Sequence, residues 1–195
     1  LDPATAQQVF VPASTLIPGV YAFNDSAAEV WFAPAGTTRG TMPTVVRAER
    51  KLTKSNRDDL YKANVNPLAT FTNTGVTVFG QKTLSKRKSA TDRVNVRRLL
   101  IELKTQISNL AENLVFEQNT AATRNDFLSQ VNPLLTSIQE RQGLVDFRVV
   151  MDETNNTPTT IDNNQLIGDI FIKPTKTAEF ITLNFNITPS GVDFT

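Results

Sequence analysis

Neither cysteine nor histidine occurs among the 195 residues of this sequence, and each absence narrows the chemistry open to it. Without cysteine there is no disulfide, no thiolate nucleophile and no zinc site built from thiolates. Without histidine, the commonest general base and the commonest ligand of transition metals are also missing. Catalysis by carboxylates alone stays open, but the composition disfavours an enzyme. We therefore expect no catalytic residues, no cofactor and no metal site.

Long apolar runs are absent too. No run approaches the roughly 18 residues of a membrane-spanning helix, and no signal peptide is visible, so we expect no membrane partner. The chain begins at Leu1 rather than at a methionine, and we interpret it as a piece that lacks upstream sequence. Its 39% apolar and 20% charged residues are ordinary for a globular domain with a sizeable core.

The charge is unevenly distributed, although the net charge is only +1. Residues 47–98 contain thirteen Lys and Arg against four Asp and Glu, whereas residues 99–195 contain six against twelve. A basic middle and an acidic end suit a protein that binds copies of itself electrostatically. Solvated faces without a partner explain the same distribution equally well.

The longest periodic segment, residues 92–114, predicts a core helix. Asp92 is its expected N-cap, because a carboxylate can accept hydrogen bonds from the first free amides of a helix. Apolar residues recur at spacings of three and four, as they do along one helix face. They are Val96, Leu99, Leu100, Leu103, Ile107, Leu110 and Leu114.

A second helix is expected to begin at a capping Thr123 and to end at Gly143. Pro133 lies inside it and should kink or split it, because proline removes an amide donor and crowds the preceding turn. The apolar stripe of this helix contains Phe127, Leu128, Val131, Leu134, Leu135 and Ile138.

The rest of the chain indicates strands and turns. Residues 144–151, 166–172 and 180–187 predict three strands, with a hairpin turn or loop at 173–176. Upstream, we expect two strands, at residues 76–80 and, shorter, at 44–48. We also expect a short helix capped by Ser55 and a broken helix or turn at residues 14–23. Short connections favour antiparallel neighbours. We expect an α+β fold in which a mainly antiparallel sheet carries the long core helix and the kinked helix on one face.

Residues 82–93 are polar and centred on Lys86, Arg87 and Lys88. A solvated loop is the main interpretation, and a nucleic-acid-binding module using residues 82–98 is the alternative, since clustered basic residues neutralise phosphates. No aromatic stacking platforms are interleaved with these residues, and no familiar DNA- or RNA-binding motif appears. We therefore favour the loop and expect no nucleic-acid partner.

Six short motifs follow one another along the chain. Together they resemble the C-terminal region of contractile-phage tail sheath proteins, nearest to those of T4-like myophages, from residue 15 to the end. Each motif alone would be weak evidence, but six in the same order are specific. They are Ala33-Pro34-Ala35-Gly36…Arg39-Gly40, Asn66-Pro67, Asn95-Val96-Arg97-Arg98-Leu99, Phe116-Glu117-x-Asn119, Asp152-x-Thr154-Asn155-Asn156-Thr157-Pro158 and Ile161-Asp162.

The resemblance implies a structural role. Sheaths of this family form a helical sleeve around an inner tube and contract, which drives the tube through the host envelope. The region matched here lies next to the tube. The implied partners are other copies of the chain, the tube protein, the baseplate and a tail terminator. The implied location is the virion tail, assembled in the host cytoplasm.

Residues 1–15 are small and polar and indicate a linker or an extended entry. The resemblance suggests residues 16–188 as the core domain. Pro189 interrupts the alternation of the last predicted strand, and residues 189–195 are expected to form a C-terminal arm, with a frayed terminus as the alternative. Val192 and Phe194 of the arm are expected to enter pockets of a neighbouring subunit, as part of an added strand. Arg124, Glu140 and Arg141 are expected to contact the tube or another subunit.

Arg97 and Arg98 are adjacent, so their side chains point about 100° apart on a helix. We expect one of them to pair with an acidic group, for example Asp152 or Asp162, within the chain rather than across a subunit contact. Asp152, Glu153 and Asp162 do not have the spacing of an EF-hand calcium loop.

Overall fold

The computed structural model describes residues 4–183. After a single 3₁₀ turn at Ala13–Thr15, the helices are α1 (Ile17–Ala27), α2 (Gly36–Arg39), α3 (Lys54–Lys62), α4 (Val94–Glu112), α5 (Ala121–Glu140) and α6 (Pro158–Asp162). The strands are β1 (Leu68–Phe71), β2 (Gly75–Val78), β3 (Leu144–Val150) and β4 (Asp169–Pro174). The expected α+β class is confirmed. Within residues 4–183, its strands form two separate antiparallel pairs, β1–β2 and β3–β4.

Two apolar clusters divide the fold into a helical half and an N-terminal half. The helical half contains α4, α5, β3 and β4, and its core holds nine buried residues: Trp31, Leu99, Leu103, Phe127, Val131, Leu135, Ile138, Leu144 and Met151. The N-terminal half contains α1, α2, β1 and β2, and its core is smaller: Val20, Met42, Val76 and Val78.

Helix α4 buries the predicted apolar face, with Leu99 and Leu103 at its centre. The predicted cap is wrong, because the N-cap is Arg93 and its side chain makes no capping hydrogen bond. Asp92 lies one residue too early and forms an ion pair with Arg93 at 3.2 Å instead. The amide of Val94 donates to the backbone carbonyl of Gln81 at 2.8 Å. A backbone hydrogen bond from another segment therefore takes the place of a side-chain cap.

The N-cap of helix α5 lies three residues before the predicted one. Thr120 is the N-cap, and its hydroxyl accepts a hydrogen bond from the Thr123 amide at 3.3 Å. The helix continues through Pro133 without splitting. Pro133 is exposed, so water can reach the turn that lacks its amide. At the end, Gln142 takes the left-handed conformation (φ 65°), while the Gly143 amide donates to the Ile138 carbonyl at 2.8 Å.

Strands β3 and β4 pair antiparallel as expected, with Phe147 opposite Ile172 and Val149 opposite Ile170. The predicted hairpin turn or loop at residues 173–176 is wrong in its first half, because Lys173 and Pro174 complete β4, whereas residues 175 and 176 follow it without regular structure. The third predicted strand, 180–187, is not seen in its described part, since residues 180–183 form no strand. Its remainder, 184–187, lies outside the described residues.

Several N-terminal predictions also need correction. Helix α1 is not broken by Pro18, because proline in the first turn removes an amide that would have no helical partner. No strand forms at residues 44–48. Instead Thr41 pairs with Thr77 and extends the edge of β2. Thr53, rather than Ser55, caps α3 through a reciprocal capping box with Asn56.

Candidate assembly surface

A polar cluster centred on Glu179 holds the chain after β4 against the N-terminal half. Arg93 binds the carboxylate with two nitrogens, Nε to Oε1 at 2.7 Å and Nη2 to Oε2 at 3.0 Å. The Tyr61 hydroxyl donates to Oε2 at 2.5 Å. A further hydrogen bond close by, from Gln81 Nε2 to Thr177 Oγ1 at 2.6 Å, also holds the chain after β4 on the N-terminal half. The cluster therefore fixes where the C-terminal residues leave the domain.

The electrostatics of this cluster favour a charged pair. Partial burial alone would raise the pKa of Glu179, but the hydrogen bonds from Arg93 and Tyr61 outweigh it and lower the pKa below its usual value. The hydrogen bond to Glu179 raises the pKa of Arg93. Burial and the same carboxylate raise the pKa of Tyr61, so its hydroxyl stays a donor.

Beyond the cluster, the chain turns apolar and exposed. Phe180 touches Tyr61 edge-on, with 6.4 Å between the ring centroids, and its own side chain is largely exposed, as are Ile181 and Leu183. This segment leads towards the predicted arm. Val192 and Phe194 lie outside the described residues, so their contact with a neighbouring subunit stays a prediction.

The predicted tube-contact residues have different surroundings. Arg124 is buried, with 6% of its surface exposed, and its Nη1 donates to Asn119 Oδ1 at 2.8 Å. It was therefore wrongly assigned to the outer surface. Glu140 and Arg141 are exposed at the end of α5. Arg141 pairs with Glu29 at 2.8 Å, so part of its charge is already neutralised within the chain.

Arg141 also fixes the single tryptophan. Its guanidinium lies 5.0 Å from the Trp31 ring centroid, and its backbone carbonyl accepts a hydrogen bond from the indole Nε1 at 3.0 Å. Trp31 belongs to the core of the helical half. The end of α5 therefore both anchors this loop and presents Glu140 to solvent.

The expected pairing of Arg97 or Arg98 occurs with a different acid. Arg98 Nη2 lies 2.5 Å from Asp25 Oδ2, and its guanidinium lies over the Tyr21 ring. Asp152 Oδ1 instead accepts hydrogen bonds from its own turn, where the amide and hydroxyl of Thr154 donate at 2.8 and 2.5 Å. Asp162 forms no ion pair within residues 4–183. The intrachain pairing was predicted correctly, but its partner was not.

Asparagine side chains explain three of the motifs. Asn66 Oδ1 accepts from the Lys82 amide and its Nδ2 donates to the Lys82 carbonyl, both at 2.8 Å. Asn156 binds Ile167 in the same way: its Oδ1 accepts from the Ile167 amide at 2.9 Å, and its Nδ2 donates to the Ile167 carbonyl at 2.8 Å. Asn119 Nδ2 donates to the Gln165 carbonyl at 2.8 Å. These amides cross-link remote backbone segments, a role that the motifs alone do not indicate.

No helix among residues 4–183 combines the length and apolar character needed to cross a membrane. The same residues bring together no group of three or more side chains suited to holding a metal ion. Lys86, Arg87 and Lys88 lie on the predicted exposed loop.

The fold is an α+β domain in which side-chain amides and three ion pairs join remote segments of the described residues. Comparison with known families identifies it further. The model of the phage tail sheath C-terminal domain matches residues 87–188, and the chain belongs to this family. The resemblance drawn from the six motifs is confirmed.

Individual relatives agree with the family match. The chain is 42% identical to the tail sheath protein of Vibrio phage KVP40 and 36% identical to that of Enterobacteria phage T4, over 185 residues in each case. These alignments cover 95% of this chain but 28% of each relative, so the chain spans less than a third of their length.

The fold also matches a solved assembly. In the contracted-state sheath complex of PVC, an extracellular contractile injection system, the sheath chain superposes with a TM-score of 0.84 at 26% identity. The match covers 93% of this chain and 52% of that one. None of these comparisons supports the nucleic-acid-binding alternative.

Proposed function

We propose that this chain is the tube-proximal, C-terminal part of a longer tail sheath subunit. Copies of the subunit polymerise into a helical sleeve around an inner tube, and contraction of the sleeve drives the tube through the host envelope. The observation that carries the proposal is the family match, together with a fold shared over 93% of the chain with a contractile sheath. The 28% coverage of the curated relatives supports a longer subunit.

The role is structural rather than enzymatic. The relatives are sheath proteins. Several ionisable groups of the described residues are engaged in internal ion pairs, such as Arg93 with Glu179 and Arg98 with Asp25. Contraction needs no hydrolysis if the extended sheath is assembled in a metastable state. The partners are other copies, the tube protein, the baseplate and a tail terminator, within the virion tail assembled in the host cytoplasm.

The C-terminal arm supplies one connection between subunits. Residues 189–195 are its proposed extent, residues 16–188 form the core domain, and residues 1–15 form a linker. The Glu179 cluster lies ten residues before the proposed arm and fixes the preceding chain on the domain, which supports a defined point of departure for the C-terminal residues. Val192 and Phe194 then occupy pockets beside a neighbour's sheet edge, with main-chain hydrogen bonds supplying affinity.

The end of α5 supplies the proposed tube contact, through Glu140 and the exposed part of Arg141. Exposed charge pairs are weak singly, so such a contact can be released when the sheath contracts. Reversing both charges is expected to impair assembly on tubes and to leave tube-free polymers intact. Normal assembly on tubes would contradict this contact.

Truncation of the arm tests the proposal. The full-length subunit should form tubular polymers visible by electron microscopy. The variant that ends before Thr188 should keep its melting temperature and lose polymerisation, because the segment is expected to act between copies. A matched control replaces residues 188–195 by a Gly/Ser segment of equal length. Normal sheath formation by the truncated variant would contradict the arm, and no polymer from the intact subunit would contradict the sheath function itself.

A further inference from the structure

The loop between α4 and α5 presents an aromatic ring to solvent. Phe116 is fully exposed, at 102% of its reference area, and Val115 beside it is 61% exposed. Phe116 also has a φ of 71°, in the left-handed region that disfavours every residue with a side chain except in special settings. An exposed ring and a strained backbone both destabilise the isolated domain. No contact of Phe116 within residues 4–183 offsets them.

The surrounding loop is fixed rather than frayed. Leu114 packs against the core of the helical half, and its carbonyl accepts a hydrogen bond from the Glu117 amide at 3.1 Å. On the other side, Asn119 donates to Gln165 and accepts from Arg124, both at 2.8 Å. The exposed ring is therefore carried by an ordered loop. Anchor residues of protein interfaces are presented in the same way.

Acidic groups flank this ring. Glu112 and Glu117 are both exposed, and neither takes part in an ion pair within the described part of the chain. Residues 112–117 thus form an apolar tip with a negative rim, which we name the acidic knob. Its composition favours a partner that offers an apolar contact ringed by positive charge.

A surface of that kind exists on the same chain. The loop enclosed by the Lys82–Arg93 bridge exposes 95% of Leu84, beside the exposed cations Lys86, Arg87 and Lys88. Those three cations form no ion pair within residues 4–183. We name residues 84–88 the basic loop. Because Phe116 and Leu84 are both almost fully exposed, the two surfaces do not cover each other within one copy.

We propose that the acidic knob of one copy docks on the basic loop of the next. Phe116 and Leu84 would cover each other, and Glu112 and Glu117 would pair with the cations of the basic loop. The proposal rests on the self-assembly stated above and adds a contact separate from the C-terminal arm. Two different surfaces make a heterologous interface, which propagates into an open helical polymer when its rotation does not close a ring.

Charge reversal in the full-length subunit tests this pairing. The knob variant Glu112→Lys/Glu117→Lys and the loop variant Lys86→Glu/Arg87→Glu should each raise the critical concentration for tube-free polymerisation by about tenfold, because like charges then face each other. The combined variant should recover most of the loss. Lys51→Glu/Lys54→Glu, the same charge change at exposed residues elsewhere, is the matched control and should polymerise normally.

Cross-linking tests the contact directly, because the chain contains no cysteine of its own. Glu117→Cys and Lys86→Cys, introduced together in a full-length background free of other cysteines, should give an oxidant-dependent ladder of linked copies. Mixing the two single variants should give dimers only, and each single variant alone should give none. A disulfide-linked dimer from either single variant alone would indicate a symmetric contact and overturn the heterologous pairing.

Phe116→Gly separates the interface from folding. It should impair polymerisation without lowering the melting temperature, because glycine adopts the left-handed conformation without strain. A lowered melting temperature would show that the ring serves the fold and overturn the proposal. Normal polymerisation of both charge variants, or no recovery in the combined variant, would also overturn it.

Two other results would assign the surfaces elsewhere and overturn the pairing. One is a knob variant that polymerises alone but fails only around tubes, which would point to the tube as the partner. The other is a loop variant that polymerises normally but loses salt-sensitive binding to duplex DNA. If the unmodified subunit forms no polymer, the proposed function fails instead.

Discussion

The two halves of this domain are stabilised in different ways. The helical half packs nine buried residues, contributed mainly by α4, α5 and β3, around Leu99 and Leu135. The N-terminal half buries four apolar residues and depends on close backbone approaches and side-chain amide contacts, such as Asn66 with Lys82. We therefore expect the helical half to be the more stable part of the domain. We expect local unfolding to begin in the N-terminal half and at its contacts with Glu179.

The largest expected effect concerns the core of the helical half. Leu103→Ala should lower the free energy of unfolding by about 2–5 kcal/mol, because it removes buried methyl groups and leaves a cavity. Leu68→Ala makes the same chemical change at a half-buried position of the N-terminal half and should have a smaller effect. Denaturant titration of both variants measures the difference, and equal losses would contradict the contrast between the halves.

A glycine pair tests the close packing of the N-terminal half. A Cβ on Gly40 would lie 2.6 Å from the Val78 carbonyl oxygen and 2.8 Å from Ala35 Cα, so backbone would have to move. Gly40→Ala should lower the free energy of unfolding of the domain by about 1–3 kcal/mol, as denaturant titration would measure. Gly19→Ala is the control, since nothing lies within 4 Å of its Cβ position in α1, and it should stabilise by about 0.5–1 kcal/mol.

Glu179 connects stability to pH. Its pKa is lowered in the folded domain, so the ionised form stabilises the fold above the unfolded pKa, and that contribution is lost as the pH falls through the folded pKa. Glu179→Gln should destabilise by about 1 kcal/mol at pH 7. The difference from the unmodified chain should shrink as the pH falls below the ordinary pKa near 4.5 and vanish below the lowered folded pKa. A difference that does not depend on pH would show that the charge is not what matters.

The smallest expected effect distinguishes two neighbouring arginines. Arg98→Ala should lower the free energy of unfolding by about 0.2–1 kcal/mol. The loss is small because the ion pair with Asp25 is partly exposed. Arg97→Ala should have no measurable effect, since Arg97 is exposed and forms no ion pair within the described residues. Thermal melting of the two variants measures both changes. A larger loss for Arg97 would reverse the assignment.

Sequence reasoning succeeded where apolar periodicity dominates. The spacing of Leu99, Leu103 and Ile107 predicted α4, and the stripe through Val131 and Leu135 predicted α5. Both helices were found because their burial repeats with the helical period. The start of α4 was missed, since the Val94 amide is satisfied by remote backbone at Gln81, which no local pattern reveals. The start of α5 was missed because two threonines three residues apart, Thr120 and Thr123, are both possible caps.

The candidate site was harder to predict for a similar reason. Arg93 and Glu179 are 86 residues apart, so only the folded chain shows that they meet. The Asn66 motif was noticed, but its role needed the position of Lys82. Asn66 before Pro67 and Asn156 two residues before Pro158 were the available signal, because an asparagine amide can bind a backbone donor and a backbone acceptor together.

The position of this domain in an assembled sheath tests the central claim most directly. A cryo-electron microscopy reconstruction of the full-length subunit polymerised around its tube would give the radius of each domain. We expect a helical sleeve in which residues 16–183 form the innermost layer, with Glu140 facing the tube. A sleeve with this domain on its outer surface, or a reconstruction in which it makes no contact between copies, would contradict the account.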